Sequence, residues 1–243
     1  MKPFLLLASR AEDAAADDEY LAYLRYTGLA EAQLHRVRME AAPLPRLDLD
    51  DYSGVIVGGS PFTSSDPAEH KSETQHRVER ELFALLDRIV AEDFPFLGAC
   101  YGVGTLGLHQ GAVIDRTYGE GLGGVSVRMT SAGQQDPLLR GLPDQFTAFV
   151  GHKEACTVLP GGAVLLASSA TCPVQMFRIR TNLYATQFHP ELDADGLTTR
   201  IDIYRHAGYF PPDSAEELMA QAREHAVTEP MTILRNFAER YAR

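Results

Sequence analysis

Cys100 stands in the segment Phe96-Leu97-Gly98-Ala99-Cys100-Tyr101-Gly102, where an apolar run gives way to a glycine-rich stretch. A side chain on a tight turn from strand to helix projects above the strand ends, and neighbouring backbone N–H groups can face the oxygen of a carbonyl under attack. Glycine on both sides leaves room for the bend and for close approach of a substrate. The chemistry indicated is nucleophilic attack by sulfur on a carbonyl carbon. A thiol in that role needs a base and an orienter, and Gln187-Phe188-His189-Pro190-Glu191 supplies both after the apolar stretch Leu183–Thr186. Pro190 disfavours helical backbone at His189, so an extended segment is expected, with His189 and Glu191 on one side of it. The carboxylate would hold one imidazole nitrogen while the other meets Cys100. An imidazolium there would lower the thiol pKa and later hand a proton to a departing amine. A cysteine after a strand is also what a packed core uses, and a lone histidine is usually structural. It is the combination of these motifs with the Gly58-Gly59 turn that packing alone does not explain.

The elements that must position these residues alternate. Residues 3–8 read as a buried strand, 17–29 as a helix with Tyr20, Leu21, Leu24 and Tyr26 near one face, and 34–39 as a second strand. Residues 52–57 form a third strand ending at Gly58-Gly59-Ser60-Pro61. A long helix over 72–92 follows, with Val78, Leu82, Leu85, Leu86 and Ile89 at helical spacing, and then a strand over 94–99. This order predicts an α/β fold: a flavodoxin-like three-layer sandwich with a mostly parallel central sheet. Ligands of such sheets bind outside the carboxyl ends of strands, where both Gly58-Gly59 and Cys100 fall. From 113 to 187 short strands and turns dominate. Residues 193–243 read as a helical extension packed on a domain of residues 1–192.

With 243 residues, 45% of them hydrophobic and 23% charged, the chain can bury a substantial core. Its net charge of −11 repels phosphate backbones and anionic membrane surfaces, so neither nucleic acid nor membrane is an expected partner. The three cysteines, Cys100, Cys156 and Cys172, leave at least one thiol unpaired and favour a reducing compartment, the cytoplasm. Cys156 and Cys172 are expected as buried apolar fillers. The histidines lack carboxylate-rich metal spacing, so no metal is expected. Residues 119–124 match a dinucleotide fingerprint formally, but a β-like run follows where a helix is needed. They are expected as a flexible turn near the site, with Tyr118 or Glu120 near ligand, and no cofactor is expected.

The elbow Gly98-Ala99-Cys100-Tyr101-Gly102, the Gly58-Gly59 turn, Gly151-His152 and Phe188-His189-Pro190-Glu191 resemble the class I glutamine amidotransferases. Within that group the likeness is greatest to the amidotransferase domain of GMP synthases, and it spans roughly residues 4–192. The resemblance implies that Cys100 attacks the side-chain amide of glutamine, giving a γ-glutamyl thioester and ammonia, with His189 as base and acid and Glu191 as orienter. It implies an oxyanion hole from the N–H groups of Gly59 and Tyr101, and a substrate pocket at Gly58, Gly104, Gly151 and His152. Departures accompany it. Family members usually carry glutamine four residues after the nucleophile, where this chain has Gly104. Gly151 replaces the usual polar residue before the histidine, and Lys153-Glu154 the usual glycine-acid pair. A different γ-glutamyl amide, such as a peptide or polyamine conjugate, could fit instead, and a noncatalytic binding or regulatory subunit is the reading of another class. Residues 122–126 lack the aspartate of the synthetase phosphate loop, so an acceptor or synthetase subunit is expected on another chain. A homodimer is the candidate self-assembly.

Overall fold

The structure, a computed structural model, describes residues 1–207, 210–224 and 226–243. The chain opens with β1 (Phe4–Ala8), α1 (Asp13–Thr27), β2 (Leu34–Arg38), β3 (Val55–Val57), α2 (Glu73–Glu92), β4 (Phe96–Ala99) and α3 (Tyr101–His109). The middle is richer in strand: β5 (Val113–Asp115), β6 (Glu120–Met129), the short α4 (Ser131–Gln135), β7 (Gln145–His152), β8 (Ala155–Val158), β9 (Val164–Ser169), β10 (Met176–Ile179) and β11 (Leu183–Thr186). Three helices follow: α5 (Ala194–Ile203), α6 (Ala215–Glu224) and α7 (Met231–Tyr241).

Nine strands form one sheet in the order β2-β1-β3-β4-β11-β10-β9-β6-β7. The five from β2 to β11 run parallel, and the remaining four join antiparallel. Alternation along the parallel strands divides the core in two. Leu5, Leu7, Val55, Val57 and Phe96 pack against α2 and α3 on one face. Phe4, Leu6, Ile56, Leu97 and Tyr184 turn to the other face, against Tyr23 of α1 and Ile233, Leu234 and Phe237 of α7. This is the three-layer α/β sandwich expected from the order of elements. The last helix is built into it: Phe237 meets Phe4 with ring centroids 5.8 Å apart. A third apolar cluster joins α5 and α6 to Phe149 and Leu192.

Most expected elements appear within a few residues of their predicted ends. The apolar spacing of α2 is buried as predicted, and Ser72 caps it by accepting from Gln75 N–H at 3.1 Å. Two local expectations are corrected. Helix α1 begins at Asp13, and its buried face is Ala15, Ala16, Glu19, Tyr23 and Thr27, leaving Leu21 55% exposed. Residues 120–124 are not a free turn but the start of β6, hydrogen-bonded along β7 with an irregularity between Glu120 and Gly123.

The parallel pairing places the chemistry. Strands β3, β4 and β11 are neighbours, with Val57 opposite Gly98 and Ala99 opposite Thr186. Gly58-Gly59, Cys100 and the segment leading to His189 therefore leave the sheet at the same edge. Close packing of β4 on α3 depends on Gly98, where an added Cβ would lie 2.6 Å from the Gly102 Cα. Backbone cannot yield as a side-chain tip can. The Gly98→Ala variant is accordingly expected to lose about 2 kcal/mol or more of unfolding free energy, measured as a lower urea midpoint at unchanged slope.

Candidate active site

Cys100 occupies a backbone conformation, φ 51° and ψ −83°, that side-chain-bearing residues rarely adopt. Such strain costs on the order of 1–3 kcal/mol and persists only where surrounding contacts enforce it. Here Cys100 N–H donates to Thr186 O at 2.7 Å, and Val103 N–H closes the first turn onto Cys100 O at 2.9 Å. The bend sets the sulfur at the N-terminus of α3. The N–H groups of Gly59 and Tyr101 have no hydrogen-bond acceptor among the described residues.

His189 shares a cavity with Cys100. Its own N–H is anchored to Phe149 O at 2.9 Å, and its Nδ1 lies 2.8 Å from Glu191 Oε1. The pairing is the expected one, but its backbone is not: a turn closed by Leu192 N–H on His189 O, 3.4 Å, makes the contact instead of an extended segment. Nδ1 facing a carboxylate carries the hydrogen, so Nε2 is left as the basic nitrogen. An added Cβ on Gly59 would sit 2.6 Å from His189 Cε1 and 2.8 Å from Arg10 Nη2. The glycine therefore lets the imidazole and a guanidinium close on the same turn.

That guanidinium belongs to a buried network that the sequence motifs do not contain. Arg10 Nε donates to Glu19 Oε1 at 3.0 Å, and its Nη1 reaches the Tyr204 hydroxyl at 3.3 Å. Arg200, from α5, donates through Nη2 to Glu191 Oε1 at 2.9 Å and to Glu19 Oε1 at 3.4 Å, while its Nη1 stands 3.1 Å from His189 Nδ1. Two buried cations thus offset two buried anions, with the histidine between them. One signal points to Arg10: a charge two residues past the apolar run of β1 falls at the same sheet edge as the other motifs. Glu19 and Arg200 carry no local signal, since only tertiary packing brings them in.

These surroundings set the resting charges. Burial pushes the Cys100 thiol up to about 12, against the opposing pull of Arg10. Burial, joined by Arg200 and Arg10, holds the His189 imidazole below its ordinary value despite Glu191. Burial would raise the Glu191 carboxyl, but His189 and Arg200 outweigh it and hold it well below the carboxylate range. Both shifts favour the neutral thiol and the neutral imidazole at rest. Burial disfavours the charged form of each partner, which opposes the expected lowering of the thiol pKa by an imidazolium.

The same architecture recurs in known proteins. A family model described as glutamine amidotransferase class-I matches residues 19–200, about three quarters of the chain. The chain belongs to the class-I glutamine amidotransferase family. Among curated relatives, a glutamine-hydrolyzing GMP synthase subunit of Thermoplasma acidophilum is 37% identical over 102 residues, 42% of this chain and 50% of that protein. The glutamine-hydrolyzing GMP synthase of Streptomyces avermitilis is 28% identical over 214 residues, 83% of this chain and 38% of that protein. The chain thus spans about half the length, or less, of these relatives. A glutamine amidotransferase from Thermotoga maritima shares the fold, with TM-score 0.77 and 23% identity over 99% of this chain and 98% of that one.

Against the class-I amidotransferase pattern, two of the departures, Gly104 and Glu154, form one rebuilt corner. A Cβ on Gly104 would lie 2.5 Å from Ser64 Oγ and 2.8 Å from Glu154 Oε1. A side chain there would have to displace both. The Glu154 carboxylate fills the space, accepting from the N–H groups of Ser64 at 2.8 Å and Ser65 at 2.6 Å. Gly104 is not among the residues lining the cavities at Cys100, and Gly58 faces Glu19, whose Oε2 would lie 2.7 Å from an added Cβ. Gly151 and His152 do line a cavity with Cys100. Both ring nitrogens of His152 are engaged, one with Glu154 O and the other with Glu120 Oε2, each at 2.8 Å. Glu120 is further held by Gln175 at 2.7 Å and by the Thr171 hydroxyl. Cys156 and Cys172 are buried and unbridged, as expected of fillers. Among the described residues no helix is long and apolar enough to cross a membrane.

Proposed function

We propose that this protein hydrolyses a γ-glutamyl amide, glutamine being the first to try, through a thioester on Cys100. The observation that carries the reading is a strained cysteine above a strand end, sharing a cavity with a histidine that is hydrogen-bonded to a buried carboxylate. In the forward step Cys100 Sγ forms a bond to the amide carbon while its proton passes to His189 Nε2. The oxyanion is received by the N–H groups of Gly59 and Tyr101, and each such donor contributes about 3 kcal/mol to transition-state stability. Collapse breaks the C–N bond, with the proton moving from His189 to the departing nitrogen. Water then attacks the thioester with His189 again as base, releasing glutamate and the thiol. Glu191 holds the imidazole through both steps.

Relatives named as one subunit of a GMP synthase favour ammonia delivery to a separate acceptor chain. The filled corner at Gly104 and Glu154 favours a γ-glutamyl hydrolase acting on another amide. Incubation with glutamine and with a panel of γ-glutamyl amides, followed by mass spectrometry of the Cys100 peptide and assay of glutamate, tests the proposal. A trapped γ-glutamyl group with glutamate release is the expected result. A folded protein that neither turns over nor becomes acylated by any of them, and resists a glutamine-like chloroketone, would instead be a noncatalytic binding protein.

The pH profile provides a second check. His189 works as a base only when neutral, and its pKa lies below the usual 6.5. Activity therefore holds as pH falls through 6.5 and is lost only lower, as the imidazole protonates. Arg200→Gln removes a cation beside the ring, so the histidine pKa rises. The acid limb of kcat/KM is expected to move to higher pH.

A further inference from the structure

Two cavities meet at Cys100, and His189 lines only one of them. The other runs past Phe62, Thr63, His152 and Glu154. Because the histidine must protonate the departing nitrogen, that nitrogen and whatever it carries belong in the cavity with His189. The glutamyl chain is then left to the other. For glutamine the departing group is ammonia, which needs no recognition.

Yet this cavity is prepared for something charged. The charged side chains besides His189 that line it are Arg10 and Arg200, whereas their partners Glu19 and Glu191 are buried behind them. Arg10 is only 6% exposed, with Nε on Glu19 and Nη1 on Tyr204. Its Nη2, set against Gly59 beside His189, has no hydrogen-bond acceptor among the described residues. A desolvated guanidinium with an unused donor favours an anionic oxygen and disfavours an ammonium group. Leu122, Val150 and Leu192 supply apolar wall between.

Resting on the thioester reading above, we infer that the leaving amine carries a carboxylate, so that the substrate class is a γ-glutamyl amide of a small amino acid, with Arg10 Nη2 as the specificity-determining donor. The balance is that of amide hydrolysis. Sulfur bonds to the γ-carbon, the C–N bond breaks, and the thiol proton reaches the nitrogen through His189 to release the free amino acid. Water then displaces sulfur to give glutamate.

The test compares γ-glutamylglycine with γ-glutamylglycinamide, its neutral counterpart, and with glutamine, on the full chain and by glutamate release. Wild type is expected to favour the carboxylate over the carboxamide by about tenfold or more in kcat/KM. Arg10→Gln should bring that ratio close to one. Should this variant fold poorly because Glu19 is left unpaired, the double change Arg10→Gln/Glu19→Gln removes the stranded charge and is read in the same way. Equal kcat/KM for the two conjugates in wild type overturns the inference. So does a variant that loses rate on both conjugates by the same factor, which would make Arg10 a general support of the site. Turnover of glutamine without preference for the carboxylate leaves the thioester reading intact and removes only the specificity. Failure of all three amides to acylate Cys100 removes the reading itself.

Discussion

Alanine in place of Cys100 is expected to lower glutamate release by roughly 10^4-fold or more, because the sulfur that would carry the acyl group is gone. The mass of the tryptic peptide bearing position 100 should then stay unchanged on incubation with any γ-glutamyl amide. The substitution is a clean one. Alanine keeps the Cβ and so retains the strained φ of 51°, and it removes only a sulfur that opens onto the cavity. Near-wild-type stability in urea should accompany the loss of turnover. A variant that still releases glutamate at the wild-type rate would locate the nucleophile elsewhere. Serine at the same position separates chemistry from shape, because the hydroxyl fills the space but is a far weaker nucleophile than sulfur.

The features legible without coordinates are those written locally. The strand before Cys100, its flanking glycines and the His-Pro-Glu run are contiguous, and their shared sheet edge follows from the strand–helix alternation. Apolar spacing points to the wrong face of α1 because the two sides of this helix give a poor contrast. Its buried side carries alanines and Glu19, while Leu21 points outward. Hydrophobic spacing cannot find a face whose purpose is to hold a carboxylate under an active site. The glycines of residues 119–124 suggest a turn, since the strand they begin is defined by pairing with β7, distant in sequence. Arg200 shows the same limit from another side. It lies on α5, beyond the motif it completes, and its donation to Glu191 exists only because α5 folds back over α1. The filled corner at Gly104 is partly visible in sequence: a missing glutamine is evident, but the carboxylate of Glu154 in its place is not.

His189→Ala tests the histidine as base and acid. With the thiol pushed up to about 12, almost no thiolate exists at neutral pH, so sulfur becomes nucleophilic only as its proton leaves for the imidazole. Removing the histidine is therefore expected to block acylation as well as hydrolysis of the thioester, with turnover down by roughly 10^4-fold or more. No acyl-enzyme should accumulate. Added imidazole, small enough to enter the vacated space, should restore a part of the rate in proportion to its neutral fraction, hence increasingly above pH 7. Accumulation of a stable γ-glutamyl thioester in this variant would mean that sulfur attacks unaided and that the histidine serves the water step alone.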